Sequence, residues 1–366
     1  MGANSKKIIK EILNLPAEIS QEEIQKKFEQ LFRVDGIESV METLFNWEMR
    51  VGYISKKLIK SNLKLKFYDR EYNLYFRLQV NIARSKYSPT VTNSGEKKRI
   101  HCPICFENIG RPGKEKLRAF VFPIDGKKRI FFIQTTPFPL FWNHFVLILM
   151  DKKPQNINWT TLEDLFNFTD LAPSYTNCSN SDLPWTGASI LSHLHYQIFG
   201  GLHLPVLDAR PIEEFTFEKD WTRIEPLNYP CGVVRLKSFY RENIMNLMHK
   251  IIKIWKEQKP GKQSVNLILI KRGKNRNMYE GYIFLRNSDY RTRDWLLKFK
   301  TEGIGIIEMA GEAILPVPNG TEDEVKWKWN MIKKNGLEII KGIIEHNNPI
   351  KNKKFWKDFL KEVLSV

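Results

Sequence analysis

The alternation of apolar and polar positions changes character several times along the chain. Gln21–Phe32 and Ile37–Ile59 place Ile, Leu, Phe, Val and Trp at helical spacing among charges, so residues 1–60 read as helical. From Tyr72 to Val80 apolar and polar side chains alternate, which predicts a strand running out into Asn81-Ile82-Ala83-Arg84. Residues 85–117 carry Ser-Pro, Asn-Ser-Gly and Arg-Pro-Gly punctuation and read as irregular connection. Ala119–Phe122 and Ile130–Gln134 are aromatic and β-branched runs joined through Asp125-Gly126, which predicts a hairpin. Phe145–Met150 predicts a third, buried strand, and Thr160-x-x-Glu163 ahead of Leu165 predicts a capping box opening a short helix.

Residues 171–188 are polar, with Pro, Asn, Ser and Gly, and read as a loop. Ser189–Phe199 then alternates as a strand would. That places His193, His195 and Gln197 on one face, and Leu194, Tyr196 and Ile198 on the core side. Ser238–Glu257 is an amphipathic helix stopped by Pro260-Gly261. Val265–Ile270 and Tyr279–Leu285 read as paired strands around the basic turn Lys271–Arg276, while Ile304–Met309 and Glu312–Leu315 predict further sheet. Residues 322–346 and 353–365 finish as helices. This order favours an α+β fold with largely antiparallel sheet.

Composition narrows the class. With 366 residues, 42% of them apolar and 12% aromatic, the chain can bury a sizeable core and is not disordered. No apolar run approaches the roughly 20 residues of a bilayer span, and the first residues lack a signal core, so the expected location is the cytoplasm with no membrane partner. The formal charge of +17 is spread along the chain without a basic block. It reads as a solubility feature, as weak attraction for a polyanionic ligand, or as a nucleic-acid surface; the last expects a clustered stripe. Four cysteines, Cys102, Cys105, Cys178 and Cys231, do not make a disulfide scaffold in a chain this long.

The chemistry concentrates in His193-Leu194-His195-Tyr196-Gln197. A neutral imidazole is a competent nucleophile toward phosphorus near pH 7. On such a strand His195 can attack while a backbone carbonyl holds its other nitrogen. Gln197 can donate an amide N–H to a phosphate oxygen, and Gly187-Ala188-Ser189 offers close backbone approach and a hydroxyl. The competing reading, two ordinary polar histidines on a half-exposed strand, does not account for Gly-Ala-Ser, H-x-H and Gln arriving in that order.

These residues resemble the active-site strand of the galactose-1-phosphate uridylyltransferase branch of the histidine-triad superfamily. The resemblance implies histidine-triad-like antiparallel sheets with flanking helices, arranged as two halves. The corresponding division is an N-terminal helical segment (1–70), a catalytic half (71–235), a second half (236–320) and C-terminal helices (321–366). It makes His195 the nucleophile, Gln197 and Ser189 phosphate contacts, and His193 an orienting residue or zinc ligand. Gln79-Val80-Asn81-Ile82-Ala83-Arg84 is similar to the Q-x-N-x-x-R segment of GDP-hexose phosphorylases, a sister group. It also resembles an uncharacterised bacterial family in which a Cys-x-x-Cys-x-x-Asn segment follows, as Cys102–Asn108 does here. Asn81 and Arg84 become candidate contacts to phosphate or base, beside Gly187 and Ala188, with Arg84 as a surface ion-pair residue the alternative.

Cys102-x-x-Cys105 can hold structural zinc, stay a reduced buried pair, or act as a redox dithiol. By resemblance the zinc set adds His193 and one further histidine, expected where Lys152 and Lys153 stand. His144, His101 or Cys178 would have to substitute. No organic cofactor is expected. The resulting expectation is a nucleotidyltransferase with a nucleotidyl-histidine intermediate, first of all an NDP-sugar phosphorylase, with phosphate or a sugar 1-phosphate as second substrate and a homodimer as an open possibility. Hexose-1-phosphate uridylyltransferase and dinucleoside polyphosphate phosphorylase are the alternatives within the class. A zinc-containing nucleic-acid-binding protein is the alternative outside it.

Overall fold

The structure, a computed structural model, describes residues 2–82, 102–126, 128–136, 140–184, 186–187, 190–291, 294–297, 299–300, 304–317, 320–350 and 352–365. Helices α1 (Ala3–Leu13) and α2 (Gln21–Arg50) open the chain. Ser20 caps α2 by accepting from the Glu23 N–H, and Glu23 reaches back to the Ser20 N–H. Gly36, at φ +74°, kinks α2 between the two apolar stretches. The helical pattern stops at Arg50; a short α3 (Lys56–Ser61) follows. Strand β1 (Leu63–Asp69) then pairs antiparallel with β2 (Leu74–Asn81).

Ten strands form the main sheet: β3 (Ala119–Pro123), β4 (Ile130–Thr135), β5 (His144–Leu149), β6 (Tyr175–Ser179), β7 (His195–Gly200), β8 (Phe217–Lys219), β9 (Thr222–Pro226), β10 (Val233–Ser238), β11 (Gln263–Arg272) and β12 (Met278–Asn287). Their order is β3-β4-β5-β7-β6-β11-β12-β10-β9-β8, every pairing antiparallel. The list reads the same from both ends. In each half a helix joins the third strand to a final hairpin: α4 (Trp159–Leu171) between β5 and β6, α5 (Arg241–Gln258) between β10 and β11. The halves meet where Cys178 of β6 faces Ile268 of β11. The fold is α+β with antiparallel sheet and flanking helices, as the residue pattern implied. A second, three-stranded sheet adds one parallel pair, β13 (Glu312–Pro316) beside β2.

Three local expectations are corrected. Within 171–188, read as loop, lies β6, whose Asn177 and Ser179 are wholly buried in mid-sheet; its polar sequence hides a strand made by its neighbours β7 and β11. Ile304–Met309 is not sheet. After the short helix α6 (Asp294–Leu297), its apolar run forms the one-turn helix α7 (Ile306–Met309), closed by Glu308 accepting from the Gly305 N–H. Helix α4 is capped by Asn158, which accepts from the Thr161 N–H, and not by a Thr160–Glu163 box.

One face of the large sheet is buried under α1, α2, α4, α5 and α9 (Lys354–Ser365), where Leu194, Tyr196 and Ile198 join the first core. The other face, with Cys178, Phe199, Ile268, Tyr282 and Phe284, packs on the small sheet and α8 (Glu322–Ile344) in a second core. The outer edge of β3 is closed by α2. Gln21 exchanges two hydrogen bonds with the Ala119 backbone (2.7 and 2.9 Å) and Gln25 two with Val121 (2.8 and 2.9 Å). Two amides one helical turn apart thus imitate a neighbouring strand and block edge-on association.

Candidate active site

The reactive segment enters its strand later than the sequence pattern predicts. The β7 ladder begins at His195 because residues 191–194 pair irregularly with 149–155: Leu149 N–H donates to the Leu194 carbonyl, Leu194 N–H to Lys153, and Gln155 N–H to Leu191. The alternation survives this: Leu194, Tyr196 and Ile198 still point into the first core. Tyr196 ends its inward path with its hydroxyl donating to Asp164 (2.8 Å), which also holds Arg129.

His195 is 3% exposed. Its Nδ1–H donates to the His193 carbonyl (2.8 Å), and its backbone N–H donates to Gln155 Oε1 (3.1 Å), a contact made where β6 has already ended. Burial pushes its pKa below the ordinary imidazole value; the carbonyl offsets this in part. The outcome is a neutral ring with Nδ1 protonated and the Nε2 lone pair available, the tautomer a nucleophile needs.

Gln197 is half-buried. Its Oε1 accepts from His144 Nε2–H (2.7 Å), while His144 Nδ1 accepts from the Leu140 N–H (3.3 Å). His144 is fully buried and its pKa falls to about 4 through desolvation, so it stays neutral. With the oxygen of Gln197 committed, the amide nitrogen is the free end, and an N–H can be offered to an incoming oxygen. The sequence assigned no such role to His144. The signal is the register: His144 opposite Phe199 on β5 is one step along the same face from Val146, which faces Gln197.

His193 turns the other way. Its Nε2–H donates to the Leu149 carbonyl (2.7 Å), and Nδ1 faces Cys102 Sγ (3.3 Å) and Cys105 Sγ (3.4 Å). Tetrahedral zinc with usual bond lengths separates a sulfur and a nitrogen ligand by roughly 3.5 Å, and metal-bound imidazoles commonly give their second N–H to a carbonyl. The three side chains therefore fit a zinc ion. Of the substitutes considered for a fourth ligand, His144 is engaged with Gln197 and Cys178 lies on β6 opposite Gln197; neither joins the cluster. His101 falls outside the described residues. Lys152 pairs with Glu107 (2.8 Å).

Gly187 explains why a glycine stands there. At φ +99°, a Cβ would lie 2.2 Å from the Ile304 carbonyl oxygen. That carbonyl accepts from Arg286 (3.1 Å), a fully buried guanidinium otherwise held by Asn266 and Asn347. Desolvation pulls the Arg286 pKa down to about 10. Ala188, Ser189 and Arg84 lie outside the described residues. Asn81 is buried at the end of β2, in the small sheet, opposite Pro316. A cavity of about 840 Å³ lined by Phe67, Trp295, Asn335 and Gly336 contains none of these groups.

The family described as "Domain of unknown function (DUF4922)" matches residues 43–200, which span the cysteine pair and the histidine strand. Galactose-1-phosphate uridylyltransferase of Caldanaerobacter subterraneus is 28% identical, covering 92% of this chain and 70% of its own length. That of Clostridium acetobutylicum is 27% identical over 84% and 66%, and that of Staphylococcus saprophyticus 30% over 64% and 51%. The chain thus spans about half to 70% of the length of these relatives. Yeast Ap4A phosphorylase shares the fold with a TM-score of 0.52 at 13% identity, covering 84% of this chain and 93% of that one. The similarity to galactose-1-phosphate uridylyltransferases therefore extends over most of the chain. No described helix is long and apolar enough to cross a membrane.

Proposed function

We propose that this protein is a nucleotidyltransferase working through a nucleotidyl-histidine on His195, and within that class a nucleoside diphosphate sugar phosphorylase. The observation that carries the reading is the His195 ring: buried, neutral, with Nδ1–H bound to the His193 carbonyl and no hydrogen bond to Nε2 among the described residues.

In the first step the Nε2 lone pair bonds to the α-phosphorus of a nucleoside diphosphate hexose, and the bond to the bridging oxygen breaks. Hexose 1-phosphate leaves with that electron pair. The ring, now carrying the nucleotidyl group, is cationic, and its Nδ1–H is held by the His193 carbonyl. Gln197, turned by His144, donates its amide N–H to a non-bridging oxygen as charge builds there. Gly187, Ala188 and Ser189 add backbone approach and a hydroxyl. Asn81 and Arg84 contact the nucleotide. In the second step an oxygen of inorganic phosphate attacks phosphorus from the opposite side, the P–N bond breaks, and the neutral ring returns. Cys102, Cys105 and His193 would hold a zinc ion, which would supply a structural cross-link and fix the residue whose carbonyl sets the tautomer of His195.

The names of the relatives favour a second reading of the acceptor, a hexose 1-phosphate in place of phosphate, which makes the protein a hexose-1-phosphate uridylyltransferase. A dinucleoside polyphosphate phosphorylase uses the same first step. Incubation with α-³²P-labelled UDP-glucose, GDP-hexoses and dinucleoside polyphosphates tests all three. Acid-labile, base-stable label is expected on the wild type and none on His195→Ala, with turnover down on the order of 10⁴-fold. Label on the alanine variant removes His195 as the nucleophile. Nucleoside diphosphate release that depends on inorganic phosphate distinguishes phosphorylase from uridylyltransferase.

A further inference from the structure

Gln79 is wholly buried, yet neither its amide oxygen nor its amide nitrogen has a hydrogen-bond partner among the described residues. A carboxamide brings one acceptor and two donors, and burying all of them unpaired is unfavourable enough to call for a reason. Its place in the fold supplies one. Along β2, Phe76, Leu78 and Val80 point into the second core, so Arg77, Gln79 and Asn81 share the opposite face. On that face Arg77 pairs with Glu312 and donates to the His203 carbonyl (2.5 Å), just beyond the end of β7. Across the β1–β2 ladder Gln79 stands opposite Lys64. The Lys64 ammonium lies 5.3 Å from the centre of the Phe141 ring, and Phe141 packs on Phe199 and on His144, the residue that orients Gln197. A line of neighbouring side chains thus runs from the amide of Gln197, through His144 and Phe141, to Lys64 and Gln79.

We propose that Gln79 reads the base of the nucleotide, and that the base is a lactam: uracil or guanine, with an N–H beside a carbonyl. The inference rests on the nucleotidyl-transfer reading above. In uracil and guanine a ring N–H and its neighbouring C=O match the oxygen and nitrogen of one carboxamide, giving two parallel hydrogen bonds. Lys64, which can only donate, favours a further acceptor nearby, the second carbonyl of uracil or N7 of guanine, over the exocyclic amine of adenine or cytosine. Phe141 offers an apolar ring between base and phosphate subsites. Desolvation already disfavours the charged form of Lys64, and an acceptor edge beside it compensates for lost hydration.

The test is equilibrium binding of UDP, GDP and ADP to the full chain, by calorimetry, for wild type, Gln79→Met and Gln79→Leu. Wild type is expected to bind UDP or GDP at least about tenfold more tightly than ADP, the scale of one bidentate base contact. The preference should shrink below about threefold in both variants, while their Tm stays level or rises, because an apolar side chain relieves an unpaired buried amide. A preference that survives both substitutions overturns the assignment. So does a wild type that favours ADP, whatever the variants do, or one that binds none of the three. Covalent labelling of His195 is scored separately, so failure of the transfer reading does not register as failure of the base contact.

Discussion

The two halves of the large sheet share a topology and differ in their chemistry. Because Cys178 faces Ile268 at the junction, the ladders pair position with position. Gln197 beside Cys178 corresponds to Tyr282 beside Ile268, and Phe199 corresponds to Phe284. Two residues away, Glu280 takes the place of His195. On the flanking strands Arg235 and Lys237 stand for Val146 and Ile148, and Glu225 and Arg223 for Gln134 and Phe132. Around His195 the neighbours are apolar. Ile148 and Phe132 form a small core with Ile104 and Phe106 of the cysteine segment, which roofs this half. Around Glu280 they are charged: Glu225 bonds Arg223 and Arg235, and Glu280 bonds Arg272 and the Tyr282 hydroxyl.

The contrast shows what the fold leaves open. An imidazole stays neutral in the apolar half, whereas the same backbone position in the other half carries a carboxylate held by Arg272 and the Tyr282 hydroxyl. The connections differ too. Residues 180–194 link β6 to β7 and hold Gly187, while residues 273–277 make a bare turn between β11 and β12.

The sharpest way to break the comparison is to damage the connection found in one half alone. Gly187→Ala forces a Cβ against the Ile304 carbonyl at positive φ. It should cost about 1–3 kcal/mol of stability and lower kcat/KM by about 100-fold or more, since a displacement of an ångström in a positioning loop has that scale. Calorimetric Tm and label transfer read the two effects. Unaltered kinetics would detach this loop from the site.

His144→Ala comes next; its counterpart in the other half is Val233. Loss of the bond to Gln197 should reduce kcat/KM about 10–100-fold, while labelled His195 still forms, more slowly. The sign of the pH effect is fixed. His144 titrates at about 4 in the folded chain and near 6.5 when unfolded, so the unfolded chain takes up the proton first as pH falls. The stabilisation is whole above about pH 6.5 and drains away toward pH 4, and His144→Ala should flatten that part of the Tm–pH curve. An unchanged slope would contradict a neutral buried His144.

The smallest catalytic effect is expected from Glu280→Gln. It removes a carboxylate from the charged half and should destabilise by about 1–3 kcal/mol, yet leave His195 labelling within about twofold. A large loss of labelling would mean that the halves are coupled and the charged one takes part in catalysis.

Much of this was legible in the residue pattern. The β3–β4 and β11–β12 hairpins, helix α5 and the C-terminal helices follow from periodicity and turn residues. The His193–Gln197 segment announced its chemistry through residue types at strand spacing. Other parts were not legible, each for a nonlocal reason. β6 has the polar sequence of a loop and is a strand because β7 and β11 satisfy its backbone. Ile304–Met309 has the composition of a strand and coils into a turn of helix because Glu308 and Asn180 take its free N–H groups. Arg286 reads as an ordinary strand cation, and only the fold shows it buried behind the Gly187 loop.

The sequence by itself determined which groups can react: two histidines and a glutamine at alternate positions, a cysteine pair, and a glycine where the backbone must be left-handed. Tertiary structure decided what those groups do. It gave His193 to the cysteines, His195 to a carbonyl and Gln197 to His144, bringing together positions up to 91 residues apart. The reason is physical. Side-chain periodicity is set by neighbours along the chain, whereas the protonation state and orientation of a buried ring are set by whatever the fold packs against it.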